Sequence, residues 1–250
     1  MANELNVGDK YPGFHRPGVR AHFPNPVSFD KLLNPKRFQL VETFQRLPSI
    51  NASIGVATNL DFEVLGTGGS ADDVTHSATV GGIQLETDAS ASQEVIILPH
   101  LDTSQTAWAD VKWGTENQVI WDAVIRTGAS VADIVIWAGL KLTNTAVVAT
   151  DANQIFFRFD AGVANWEATS SIGGTDTETD TGIAVAASTI YHFRIEIDAD
   201  RKGHFYIDDV EVASTAALTN DIDLIPYVGV QGDAKSIVLV KEAISRIVFE

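Results

Sequence analysis

Two carboxylates in the C-terminal half have the spacing of a chemical pair. Glu196 and Asp198 lie in segment 191–198, where apolar residues occupy the odd positions and polar residues the even ones. This alternation predicts a half-buried strand, on which residues i and i+2 point to the same face. Glycoside hydrolysis requires such a carboxylate pair. However, segment 200–203 reads as a tight polar turn and alternation resumes at His204, so we favour the polar face of one hairpin strand without catalysis.

Segment 173–180 also carries alternating acids and is expected to be a solvated loop. Asp176, Glu178 and Asp180 offer carboxylates that could hold calcium, but the glycine and distal glutamate of an EF-hand loop are missing. The chain has no cysteine, and its six histidines lack metal-ligand spacing. No phosphate-binding glycine loop or nucleophile elbow occurs. We therefore predict no metal, no cofactor and no catalytic residue.

The five tryptophans are the remaining candidates for ligand contact. They are Trp108, Trp113, Trp121, Trp137 and Trp166. On an exposed face, indole rings could stack on sugars, as in lectins. Most tryptophans of β domains lie in the core or at an interface, so we favour that interpretation and keep a surface glycan as an alternative ligand.

Charge is distributed unevenly along the chain. The net charge is −16; residues 1–50 hold seven bases against four acids, about +3, which leaves ten bases against 29 acids, about −19, for the rest. A body this acidic argues against nucleic acid and membrane surfaces as partners. The first residues lack the pattern of a signal peptide, and no apolar run reaches membrane-spanning length. The asymmetry predicts a basic arm that docks on an acidic surface, with a simple solubilising charge excess as the alternative.

Residues 1–37 are expected to form this extended arm, and residues 38–250 the folded domain. Six of the eight prolines fall within the first 50 residues, which favours extended backbone. Aromatic anchors and basic side chains accompany them, as expected of a peptide that binds a partner's surface. The candidate partner-binding residues are Lys10, Tyr11, Phe14, Arg16, Arg20, Phe23, Phe29, Lys36 and Arg37. For residues 35–47 both a short helix, which Asn34-Pro35 could begin, and a strand at 38–44 remain open.

From residue 50 onward the sequence alternates strand and turn patterns. Segments 119–125, 134–142 and 155–159 show period-2 alternation, and 95–98 and 237–240 are continuous apolar runs typical of strands covered on both faces. Glycine-containing turn signals separate the segments. About a dozen short strands without long helices predict an all-β, two-sheet antiparallel sandwich of jelly-roll type.

Segment 191–212 resembles the hallmark hairpin of concanavalin A-like (laminin G-like) sandwiches. A long strand enters a polar turn, returns through an aromatic strand, and reaches a two-residue turn before Val-x-Val; here Asp208-Asp209 replaces the usual Asn-Gly or Asp-Gly. Segment 243–250 resembles the closing strand, which in the family pairs with an early strand, here 40–44. Glu196, Asp198 and Asp200 resemble the Glu-x-Asp-x-Glu signature of sandwich-fold β-glucanases, with Asp in place of the last Glu.

The resemblance also extends to structural proteins of tailed phages, through segment 81–88 (Gly-Gly-Ile-Gln-Leu-Glu-Thr-Asp), which resembles one of their early strands. It implies a capsid decoration or cement protein, made in the host cytoplasm and located in the virion. Its partners would be the major capsid protein or another virion protein and further copies of itself, a trimer being favoured. The first alternative is a carbohydrate-binding module of a fibre or spike, and the second, less favoured, is a glycoside hydrolase.

Overall fold

The computed structural model describes residues 37–48, 50–51, 62–90, 92–99, 113–142 and 151–248. Two sheets face each other and form a sandwich, as predicted. The strands are β1 (Arg37–Glu42), β2 (Ile50–Asn51), β3 (Phe62–Leu65), β4 (Val74–His76), β5 (Ile83–Glu86), β6 (Gln93–Pro99), β7 (Trp113–Gly114), β8 (Ile120–Thr127), β9 (Ile134–Lys141), β10 (Asn153–Asp160), β11 (Asn165–Ile172), β12 (Thr175–Ala184), β13 (Ile190–Ile197), β14 (Lys202–Ile207), β15 (Val210–Ala217), β16 (Asp223–Gly232) and β17 (Ser236–Ile247). Short 3-10 turns span Ala71–Asp73 and Thr115–Asn117. None of the described residues forms a helix long and apolar enough to cross a membrane.

Sheet 1 has the order β15-β14-β13-β8-β17-β5-β4, with β1 also paired to β17. Sheet 2 has the order β12-β11-β10-β9-β16-β6-β3-β2, with β7 paired to β16. The paired strands run antiparallel, apart from the short parallel pair of β2 and β3. Strands distant in sequence, such as β8 and β17, are neighbours, so tertiary contacts determine the sheet order.

Alternate residues of both sheets point inward and form the core. Phe157 of sheet 2 contacts two rings of sheet 1, with centroids 4.7 Å from Phe193 and 5.1 Å from Phe205. Trp166 lies 4.8 Å from Phe193 in an edge-on arrangement. Such pairs contribute about 0.5–1.5 kcal/mol each beyond the area they bury. These rings fix the distance between the sheets at one end of the sandwich.

The structure decides between the two alternatives for residues 35–47 in favour of the strand. β1 pairs antiparallel with β17, and Leu40 faces Ile244, which confirms the pairing of the closing strand with an early strand. The ladder supplied by β17 satisfies the backbone groups of β1, and a helix here would leave the edge of β17 unpaired.

The acidic segment 173–180 was expected to be a loop, and this expectation is wrong. Gly173 and Gly174 make a turn, and the following residues form β12 at the edge of sheet 2. Threonine alternates with the acids, and this β-branched residue favours extended backbone. The segment is solvated as expected, because an edge strand pairs on one side only.

The hairpin predicted from segment 191–212 is confirmed as β13, β14 and β15. Asp208 and Asp209 take φ values of 51° and 66°, so both central residues of the two-residue turn are left-handed, as in a type I′ turn. Aspartate tolerates this region better than most residues. The departure from Asn-Gly therefore leaves the turn geometry of the hairpin unchanged.

Candidate functional site

The outer face of sheet 2 carries an unusual number of apolar side chains. Leu65, Ile96, Leu98, Trp137, Phe156 and Tyr227 form a hydrophobic cluster separate from the core between the sheets. Because successive residues of a strand face opposite sides, these residues lie on the side away from the core. Strands β6, β9 and β16 are thus covered on both faces, which explains the continuous apolar run at 95–98.

Strand register brings these residues into rows across sheet 2. In one row Tyr227, Gly139, Phe156, Thr169 and Glu178 are consecutive cross-strand partners. Gly139 has no side chain, and a Cβ there would come within 2.7 Å of the Phe156 Cβ. The glycine leaves room for the rings of Phe156 and Tyr227, whose centroids lie 6.1 Å apart. The row runs from aromatic to polar as it approaches the edge strand β12.

A pocket of about 420 Å³ lies on this face. Its volume is in the range of small-molecule sites, which combine apolar surface with a few convergent polar groups. The apolar part of the lining consists of Val135, Trp137 and Phe156. The polar part consists of Thr67, Glu94, Gln154, Arg158, Asp160, Thr169, Asp176, Glu178 and Gln231.

One oxygen of each of two buried polar side chains in the lining has no hydrogen-bond partner within the described part of the chain. Gln154 is 3% exposed and Thr169 is 4% exposed, and the atoms concerned are Gln154 Oε1 and Thr169 Oγ1. An unsatisfied buried polar atom costs about 1–3 kcal/mol, so such atoms need an explanation in a folded protein. Both residues line the pocket, where a bound molecule could supply the missing partner.

Arg158 organises the carboxylates at the β12 side of the pocket. Its Nη2 lies 2.9 Å from Asp160 Oδ2, and its Nη1 lies 2.9 Å from Glu178 Oε1 and 3.5 Å from Glu167 Oε2. Burial raises the pKa of Glu167, the nearby Glu178 carboxylate raises it further, and Arg158 opposes both effects. One guanidinium therefore holds three carboxylates close together.

A buried charged pair lies beside the pocket on the same face. Lys141 is the cross-strand partner of Gln154, and its Nζ lies 3.6 Å from Asp151 Oδ2 and 5.4 Å from the centroid of the Tyr227 ring. Burial lowers the pKa of Lys141, and the Asp151 carboxylate partly offsets this shift. Burial raises the pKa of Tyr227 well above its ordinary value. The pair lies at the end of β9, next to Gln154 of the pocket lining.

The carboxylates singled out in the sequence lie elsewhere, on the hairpin of sheet 1. Glu196 Oε1 lies 3.1 Å from Arg194 Nε and forms an ion pair with it. Asp198 accepts a 2.8 Å hydrogen bond from the Lys202 amide, and its Oδ2 lies 3.3 Å from His204 Nε2. These carboxylates serve local pairs, and neither lines the sheet 2 pocket.

The other residues predicted from sequence are distributed as follows. Trp113, Trp121 and Trp166 belong to the core cluster, as favoured, and Trp137 lines the pocket at 8% exposure. Trp108 and residues 1–36, with all arm candidates except Arg37, lie outside the described residues.

Arg37, the remaining arm candidate, is the first residue of β1. Its Nη2 donates a 2.7 Å hydrogen bond to the Gln118 carbonyl and a 3.2 Å bond to Ser245 Oγ, so its guanidinium binds within the sandwich.

The acids considered for calcium are extended along β12 rather than gathered around one point. Glu178 pairs with Arg158, and Asp180 accepts a 2.9 Å hydrogen bond from Asn165 Nδ2. This bond and the Gly182 amide lower the pKa of Asp180. Among the described residues no group of three or more histidine, aspartate or glutamate side chains is placed to hold a metal ion.

Sequence reasoning missed Gln154, Arg158 and Thr169. One local signal was available in β10, where Phe156 is aromatic at a position that alternation assigns to the polar face. An aromatic residue between Gln154 and Arg158 on such a face indicates a surface that is not simply solvated.

Comparison with known proteins places the fold among the concanavalin A-like sandwiches. The sequence profile of the family described as SO2946-like, C-terminal domain, matches residues 124–224, from β8 into β16. No curated protein sequence matches the chain.

Three solved structures illustrate the likeness in fold. The protein SO2946 of Shewanella oneidensis is 15% identical, with a TM-score of 0.56 over 94% of this chain and 97% of that chain. A β-glucanase of Bacillus licheniformis is 9% identical, with a TM-score of 0.55 over 82% and 97% of the two chains. The carbohydrate recognition domain of Emp47p is 11% identical, with a TM-score of 0.52 over 83% and 97%. At these identities the comparisons establish the fold alone.

Proposed function

We propose that this protein binds a carbohydrate in the sheet 2 pocket and releases it intact. The observation that carries the proposal is the pair of buried acceptors, Gln154 Oε1 and Thr169 Oγ1, beside the rings of Trp137 and Phe156. A sugar presents hydroxyl donors at its rim and C–H groups on its ring faces. It therefore matches a site that combines unsatisfied acceptors with aromatic surface.

One further consideration favours binding over hydrolysis by the carboxylate pair that the sequence suggested. Glu196 and Asp198 lie on the other sheet, each engaged with neighbouring groups of its own hairpin. Structures of similar fold include a carbohydrate recognition domain and a β-glucanase, so the architecture is compatible with both outcomes. An amide oxygen and a hydroxyl can hold a ligand through hydrogen bonds, but they cannot serve as the acid and base of glycoside hydrolysis. The buried acceptors therefore favour recognition.

The proposal is tested with variants that remove a hydrogen-bond partner and keep the shape of the side chain. Thr169→Val and Gln154→Leu should weaken glycan binding about tenfold, measured by calorimetry on the best ligand from a glycan array. Neither should lower the melting temperature, because replacing an unsatisfied buried polar group with an apolar one is neutral or stabilising.

Matched controls are available on the outer face of sheet 1. Thr75→Val and Gln84→Leu change the same residue types on strands β4 and β5 and should leave binding unchanged. Full affinity of both pocket variants, or an array without any bound glycan, contradicts the proposal.

The virion role predicted from sequence remains a second proposal, and it depends on the phage resemblance. Its candidate contact residues lie in the arm, whereas the pocket belongs to the sandwich. The two roles are therefore compatible in one molecule, since a particle-bound domain can present its pocket to a surface glycan.

A further inference from the structure

The lining of the sheet 2 pocket is strongly biased toward negative charge. Among the described residues it contains four carboxylates, Glu94, Asp160, Asp176 and Glu178, against the single guanidinium of Arg158. The other described polar residues of the lining are uncharged, so this part of the lining carries a net charge of −3. A cleft lined by one sign of charge attracts ligands of the opposite sign.

The carboxylates approach the pocket from two sides. Glu94 comes from β6, and its Oε2 accepts 3.2 Å hydrogen bonds from the Thr67 amide and hydroxyl. Asp176 and Glu178 come from β12, five strands away in the order of sheet 2. The charge therefore lies along the length of the pocket, as suits a ligand with several positive groups and not one point charge.

Some of this charge is only partly neutralised by the protein. Glu178 and Asp160 share Arg158, with side chains 49% and 40% exposed. Asp176 is exposed, and its carboxylate makes no hydrogen bond or ion pair within the described part of the chain. Glu167 also lies near Arg158, and its pKa is raised first by burial and then by the nearby Glu178 carboxylate. A cation that enters the pocket therefore meets carboxylates that the described basic side chains neutralise only in part.

The buried acceptors point to the same class of ligand. Gln154 Oε1 and Thr169 Oγ1 can each accept a hydrogen bond, and both lie in the lining next to these acids. Gln154 is the neighbour of Ser171, which is paired with Asp176, and Thr169 is paired with Glu178. Ammonium and hydroxyl groups are donors, whereas a carboxylate-bearing ligand would bring further acceptors and like charge.

We propose that the pocket selects saccharides that carry free amino groups, such as oligomers of glucosamine, over neutral and acidic saccharides. The inference rests on the proposed carbohydrate function and adds its specificity. Protonated amines pair with Asp176, Glu178 and Glu94, the ring faces pack on Trp137 and Phe156, and hydroxyls reach the buried acceptors. A lysine-rich peptide would satisfy the charges but would offer no flat ring face to pack on Trp137 and Phe156.

The test compares ligands of one length and different charge by calorimetry on the full chain. The probes are the hexamers of glucosamine and N-acetylglucosamine, cellohexaose, an oligogalacturonate and hexalysine. At about pH 5.5 carboxylates are ionised and amines protonated. We expect the glucosamine hexamer to bind about tenfold more tightly than cellohexaose and to weaken several-fold between about 0.05 and about 0.3 M salt, because salt screens exposed charges.

Variants test which carboxylates are responsible for the preference for amino sugars. Asp176→Asn and Glu178→Gln should each reduce glucosamine-hexamer affinity about threefold or more and leave cellohexaose affinity unchanged. Glu86→Gln, an exposed acid on β5 of sheet 1, should change neither. The double variant Asp176→Lys with Glu178→Lys should shift the preference toward oligogalacturonate.

The possible outcomes distinguish this inference from the proposed carbohydrate binding on which it rests. Equal affinity for the glucosamine and neutral hexamers overturns charge selection and leaves carbohydrate binding intact. Hexalysine binding as tightly as the glucosamine hexamer assigns the site to a basic peptide and overturns the inference. Failure of every saccharide to bind overturns both proposals.

Discussion

Glu242 is a carboxylic acid buried in the interior of the sandwich. It is 2% exposed, and its Oε1 accepts a 2.9 Å hydrogen bond from the indole Nε1 of Trp121, a core residue. Burial raises the pKa of Glu242 to about 7, and the hydrogen bond from Trp121 lowers it to a lesser extent. In the folded protein Glu242 is therefore mainly protonated below about pH 7.

This burial has a predictable effect on pH-dependent stability. The folded pKa lies above the ordinary value of 4.5, so the stabilisation from proton binding is complete below about pH 4.5 and is lost as pH rises through about 7. Over that window the effect is at most about 3 kcal/mol, at about 1.4 kcal/mol for each pH unit. Glu242→Gln should remove it, so urea unfolding at about pH 5 and pH 8 should give more similar free energies for the variant than for the parent.

The exposed Glu86→Gln variant provides the control, and its pH dependence should equal that of the parent protein. An unchanged pH profile in Glu242→Gln would mean that Glu242 is ionised in the folded state, contrary to the expectation from its burial.

Strand β14 approaches sheet 2 closely at Gly203. A Cβ at this position would collide with Cδ1 of Ile155 on β10. Because Ile155 is fully buried in the core, it has little freedom to move away. We expect Gly203→Ala to lower the free energy of unfolding by about 1–3 kcal/mol, the usual cost of overpacking.

A second substitution tests whether this contact is the cause. Ile155→Val removes Cδ1 and costs about 0.5–1.5 kcal/mol alone. If the collision limits stability, the double variant should be more stable than the sum of the two single effects, giving a coupling measurable by a double-mutant cycle. Additive effects of the two substitutions would indicate that the contact with Ile155 Cδ1 is not the cause of the destabilisation by Gly203→Ala.

At the scale of the whole molecule, we predict that the sandwich folds independently of the arm. A protein lacking residues 1–34 keeps Arg37 and all of β1, so the ladder with β17 stays intact. We expect this shortened protein to unfold in one cooperative thermal transition. Loss of β structure by circular dichroism would show that the arm is part of the core.

The same shortened protein tests whether the arm mediates assembly. If the aromatic and basic residues of the arm bind a neighbouring copy, as the sequence predicts, light scattering should give a smaller mass for the shortened protein than for the full chain. Equal masses, together with equal binding to phage particles, would rule out the arm as an assembly device.

Much of the secondary structure was determined by local sequence pattern. Alternation in segments 134–142, 155–159 and 191–198 corresponds to β9, β10 and β13 because a strand that turns one face to the core needs apolar residues with a period of two, whatever its partner is. The Asp208-Asp209 turn was also local, since two adjacent residues set its backbone.

For two segments, the secondary structure depends on a neighbouring strand and not on the local sequence pattern alone. β1 was compatible with a helix or a strand until β17 supplied a ladder. β12 has the composition of a loop and becomes a strand because β11 pairs with it. The partner of β1 is β17, which is distant in sequence, and the partner of β12 is β11, which precedes it across a turn. The composition of β1 or β12 gives no information about these backbone hydrogen-bond partners.

The pocket was decided by tertiary structure alone. Glu94, Trp137, Thr169 and Glu178 come from four different strands, and they meet because the register of sheet 2 aligns them on one face. A slip of one residue in any pairing would turn those side chains toward the core. The sequence by itself determined that a two-sheet sandwich would form, since burial of alternating apolar residues requires one. Which polar residues share a surface depended on long-range strand pairing, whose register is selected by the packing of both sheets together.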